Sequence, residues 1–115
     1  MSHSPQDQAI PPGQDPDWHD VGSVLDLPED SGLAVRVGDF RIALFRQNED
    51  IVAVEDLCPH QGTPLAGGLV REGVLTCPLH AWQFRLKDGG NVDGGPSIRT
   101  FPVRLRDERL LVRID

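Results

Sequence analysis

The feature that most constrains this chain is a pair of short segments, Cys58-Pro59-His60 and Cys77-Pro78-Leu79-His80, which hold both of its cysteines. Each segment offers one thiol and one imidazole, spaced CxH in the first and CxxH in the second. The sixteen residues between His60 and Cys77 are enough for a short hairpin through Leu69 to Thr76. A fold that places the two segments side by side encloses one metal centre, so the rest of the chain is read as the scaffold that brings them together.

With 115 residues the chain can bury one modest core, which predicts a single domain. Residues 1–16 carry Pro5, Pro11, Pro12, Pro16, Gly13 and several Gln and Asp with few apolar side chains. Such a stretch cannot offset the entropy of ordering, so it is expected to be a flexible tail ahead of a domain over 17–115. The net charge of −7 argues against nucleic acid or an anionic membrane surface as partner and suits docking to basic protein faces. No apolar run is long enough to span a bilayer, and no secretory leader is legible after Met1. A cytoplasmic location is therefore expected, and there two cysteines are better suited to metal than to a disulfide.

From Trp18 onward short apolar stretches alternate with turn residues, the pattern of an all-β domain. Leu33 to Val37 ends at Gly38-Asp39, and Phe40 to Arg46 follows. The turn Asn48-Glu49-Asp50 leads into Ile51 to Val54. Near the end, Val103 and Leu105 alternate with Arg104 and Arg106, and Asp107-Glu108 turns the chain into Leu110 to Ile114. Pro28 limits any helix around Val24 to Asp30 to a turn or two. Between Asp56 and Pro96 the composition shifts to Cys, His, Pro and Gly, and this stretch, about 56–96, is the metal-binding part. There Pro59, Pro78, Gly62, Gly67 and Gly68 are read as serving loop geometry, with loop N–H groups available to sulfur. Trp18 and Trp82 are read as packing residues and Leu65 as a core or shielding leucine. His19 is assigned no role.

Four ligands of this composition, Cys58, His60, Cys77 and His80, fit one tetrahedral zinc ion or a [2Fe–2S] cluster with two histidines on one iron. Zinc knuckles mostly pair CxxC with a second Cys or His pair, whereas each loop here is mixed and rich in Pro and Gly. That favours the cluster and leaves a structural zinc module as the lesser alternative.

The segments CPHQGTPLAGG and CPLHAWQF resemble the CxH…CxxH signature of Rieske iron–sulfur proteins. The resemblance implies a Rieske-type antiparallel β-sandwich with a smaller cluster-binding subdomain of two ligand loops, and one [2Fe–2S] cluster per chain. It further implies that Cys58 and Cys77 bind the inner iron and His60 and His80 the outer one. Gly94-Gly95-Pro96 resembles the proline-bearing segment that covers the cluster. With neutral imidazoles the oxidised centre has no net charge, so it is easier to reduce than a four-thiolate centre. Potentials run from about −150 to +300 mV, against about −400 mV for plant-type ferredoxins. High-potential relatives carry an extra cysteine pair where Thr63 and Leu79 stand here, and hydroxyl donors where Trp82 and Phe84 stand. Their lack implies a potential toward the low end, about −150 mV.

Function then follows as an expectation: a soluble one-electron carrier, not an enzyme alone, because the four ligands fill both irons. Its partners would be a flavin- or NAD(P)H-dependent reductase and a terminal reductase or oxygenase. The run Ile42-Ala43-Leu44-Phe45-Arg46 together with CPLH resembles the small subunit of NAD(P)H-dependent assimilatory nitrite reductase. The alternative is a free ferredoxin component of a multicomponent Rieske oxygenase or monooxygenase.

Overall fold

The computed structural model describes residues 18–29, 31–47, 50–59, 62–78 and 82–114. The expected tail, the turn expected at Asn48-Glu49 and both candidate ligand histidines, His60 and His80, lie outside the described residues. Among the described residues ten strands form in order: β1 (Trp18–Ser23), β2 (Leu33–Val37), β3 (Phe40–Gln47), β4 (Asp50–Glu55), β5 (Leu69–Arg71), β6 (Val74–Thr76), β7 (Gln83–Arg85), β8 (Thr100–Phe101), β9 (Val103–Arg106) and β10 (Arg109–Arg113). A 3-10 turn, Val24–Asp26, follows β1, as short as Pro28 led one to expect. Among the described residues no helix is long and apolar enough to cross a membrane.

All strand pairs are antiparallel and fall into three sheets, ordered β1-β10-β9, β2-β3-β4-β8 and β5-β6-β7. The fold is the all-β one expected, with the 69–76 hairpin as β5 and β6. β1, β7 and β8 were not expected; β1 and β8 pair with the distant strands β10 and β4, whereas β7, three residues long, pairs with β6 across the second loop.

Strand β3 organises the interior. Ile42 and Leu44 point to one side, where they meet Leu27, Ala53, Phe101 and Val112. Ala43 and Phe45 point to the other and meet Val54, Leu65, Leu75, Phe84, Leu86, Ile98 and both cysteines. Side chains alternate faces along a strand, so a strand covered on both faces must be apolar throughout. This is why residues 42–45 read as an unbroken apolar run. The first cluster joins the four-stranded sheet to the β1-β10-β9 sheet; the second joins it to the small sheet and its loops.

The Val103/Leu105 alternation holds only in part. Val103 is half-buried, but Leu105 remains 53% exposed on the outer strand β9. The β9–β10 hairpin turns through Asp107 and Glu108, both at positive φ (51° and 69°).

Candidate metal centre

The first loop leaves the end of β4. Cys58 N–H donates to the Thr63 carbonyl and Gly62 N–H to the Cys58 carbonyl, both at 2.7 Å. Gly62 adopts φ +74°, a conformation glycine takes at no steric cost. Beneath this turn the Asp56 carboxylate accepts from Leu65 N–H at 2.5 Å and Ala66 N–H at 2.7 Å through one oxygen. Leu65 itself is fully buried in the core, the packing role expected of it.

The second loop is delivered by β6 and removed by β7. Cys77 N–H donates to the Trp82 carbonyl at 2.9 Å, and Gln83 Nε2 donates to Thr76 Oγ1 at 3.1 Å across the strand pair. Trp82 packs edge-on against Phe84 with ring centroids 6.4 Å apart, so it serves packing, as Trp18 does under the Arg104 guanidinium. The two loops are drawn together at Gly68, where a Cβ would lie 2.4 Å from the Thr76 carbonyl oxygen. Glycine is required there by contact with the strand that carries Cys77. Gly67 is different: a Cβ there would meet only Pro78 at 3.9 Å, an ordinary contact, so space does not demand glycine.

A third segment closes on itself. Asn91 is buried; its Nδ2 donates to the Pro96 carbonyl at 3.2 Å, and its Oδ1 accepts from Asp93 N–H at 2.8 Å. These bonds shape the exposed Gly94-Gly95-Pro96 turn. Nearby, Gly90 N–H bonding to the Asp88 carboxylate holds that carboxyl below its ordinary range, with Arg85 adding to the effect.

Cys58 and Cys77 are 0% and 2% exposed, lie in the same apolar cluster, and are thiols rather than a disulfide. Among the described residues no three metal-binding side chains converge, and two of the four candidates, His60 and His80, lie outside them. Two cysteines at the mouths of adjoining loops, turned into an apolar interior, suit soft thiolate ligation in a water-poor site. The donor set thus fits an iron–sulfur centre. The N–H groups of Cys58, Gly62, Leu65, Ala66, Gly68 and Cys77 are already engaged by protein acceptors. Any tuning of sulfur by backbone donors therefore falls to other amides of the loops.

The family model of the Rieske [2Fe-2S] domain matches residues 17–105. The chain belongs to the Rieske [2Fe-2S] family. As a Rieske domain it carries one [2Fe–2S] cluster and acts in electron transfer. The anthranilate 1,2-dioxygenase ferredoxin subunit of Burkholderia cepacia is 30% identical over 100 residues, covering 85% of this chain and 93% of that one. The ferredoxin component of the alkene monooxygenase system of Xanthobacter autotrophicus is also 30% identical, over 85% of this chain and 82% of its own. A crystal structure described as the NADH-dependent nitrite reductase small subunit of Mycobacterium tuberculosis superposes with a TM-score of 0.76 at 26% identity, covering 85% and 96% of the two chains.

Sequence reasoning named both cysteines but passed over Asp56 and Asn91, the two buried polar residues among those described, whose side chains close the loops. The available signal was an Asx residue at the foot of each Gly/Pro-rich segment, where such side chains commonly bond nearby backbone.

Proposed function

We propose that residues 17–115 form a Rieske ferredoxin whose cluster is held by Cys58, His60, Cys77 and His80, with residues 1–16 as a tail. It takes single electrons from a NAD(P)H-dependent flavin reductase in the cytoplasm and passes them to a terminal oxygenase. The observation that carries this reading is two buried thiols in one apolar cluster at the mouths of two adjoining loops. The bound group supplies reversible one-electron storage; the chain supplies its ligands and keeps water out through Leu65, Leu75 and Phe84. Ferredoxin components that align over 93% and 82% of their length at 30% identity support the shuttle role. The similarity to a nitrite reductase small subunit supports a second reading, a subunit resident in such a complex. The run 42–45 does not separate the two, because those side chains are buried in β3 and answer to packing.

Iron and zinc analysis with an electron paramagnetic resonance spectrum of the dithionite-reduced protein tests the ligand set. Two irons per chain and a rhombic mixed-ligand signal are expected; zinc without a signal would make the same residues a structural clasp. The partner is tested by size-exclusion chromatography with a nitrite reductase large subunit, and by NADH-driven turnover with a flavin reductase and a Rieske oxygenase. Turnover without a stable complex is expected of a shuttle, whereas co-elution at fixed ratio would establish the resident subunit instead.

A further inference from the structure

Asp56 is 5% exposed and stands two residues before Cys58. One of its carboxylate oxygens accepts two backbone N–H bonds, from Leu65 and Ala66, across the whole of the first ligand loop. Its own N–H donates to the Arg41 carbonyl at 2.9 Å, which ties that end of the loop to the start of β3. Ala66 in turn accepts from Gly32 N–H at 2.7 Å. The carboxylate is therefore the knot where the strand framework meets the loop.

An asparagine carbonyl would accept the same two N–H bonds without bringing a charge indoors. Burying a carboxylate is costly, and here charge-assisted bonds to two amides offset part of that cost. We infer that Asp56 is a positioning residue that fixes the first ligand loop and whose standing negative charge biases the neighbouring centre against taking up an electron. This rests on Cys58 being a ligand. A fixed negative charge in a poorly screened interior disfavours a further negative charge nearby. Asp56 thus contributes to a low potential independently of the hydroxyl donors missing at Trp82 and Phe84.

Two variants separate the effects in the full-length holoprotein. Asp56→Asn retains an acceptor and removes the charge. It should keep full iron content and the parent's visible spectrum, while its reduction equilibrium shifts about tenfold toward the reduced form, about 59 mV for a one-electron couple. Asp56→Ala removes the acceptor as well; its Leu65 and Ala66 amides should lose hydrogen-exchange protection, and iron should be lost on gel filtration. An Asp56→Asn protein at the parent's potential would overturn the electrostatic role, and protected Leu65 and Ala66 amides in Asp56→Ala would overturn the clamp. Amide exchange is read without any metal. A parent protein containing zinc would therefore refute the cluster, and with it the effect on potential, while the clamp is still judged on its own signal.

Discussion

The four-stranded sheet and the small sheet under the two loops hold themselves together by different means. β3 and β4 run for eight and six residues and bury apolar side chains on both faces. β5, β6 and β7 have three residues each, and beside one shared apolar cluster they depend on polar closures: Asp56 on Leu65 and Ala66, Asn91 on Pro96, Gln83 on Thr76. Strands this short are marginal alone. This contrast predicts that the framework holds its order without a metal, and that the loop region, with the proposed cysteine ligands, gains much of its order from metal binding.

The largest expected effect breaks this contrast if it fails. Cys58→Ser or Cys77→Ser should abolish the visible spectrum and strip amide protection from β5–β7 while β3 and β4 stay protected. Uniform protection in either variant would mean that the loops stand without their metal. Next, Leu44→Ala, in the core between the two larger sheets, should lower global stability by about 2–5 kcal/mol in urea unfolding and leave the spectrum and potential of the folded protein unchanged. A shifted potential would show that the framework and the loops are not separable.

Smaller effects sharpen the picture at the far sheet. Glu108 sits at φ +69° in the β9–β10 turn, where a side chain is disfavoured and glycine is not. Glu108→Gly should therefore stabilise the protein by about 1 kcal/mol in the same unfolding experiment, with no change at the metal centre. Asp20 receives two bonds from Arg109, at 3.1 and 2.9 Å, and chiefly these hold its carboxyl below the ordinary 3.8. A depressed carboxyl stabilises the fold at pH above its unfolded-state value, and the contribution fades as pH falls through the folded-state value. Asp20→Asn should thus melt slightly below the parent at pH 7. The gap should close on acidification below pH 3.8, and a gap that widened instead would refute the pairing.

Much of the framework was legible in the sequence, because a strand's apolar pattern and its Gly-Asp or Asp-Glu turn are local signals. β2, β3, β4, β9 and β10 lie where those signals put them, within a residue or two. β1, β7 and β8 were not legible: β1 and β8 pair with strands far along the chain, β10 and β4, and β7 is a three-residue partner of β6 across the second loop. All four candidate ligands were named from spacing and residue type; of these the described residues include Cys58 and Cys77, which the fold buries in one apolar cluster.

What the sequence by itself determined is the chemistry on offer and the all-β class that carries it, both written in residue types at short range. Only the tertiary structure decided that residues 42–45 wall off two separate cores, that Gly68 must be bare for one loop to touch the other's strand, and that Asp56 closes the first loop. Each depends on which distant backbone arrives beside a side chain, and that is set by the packing of the whole domain.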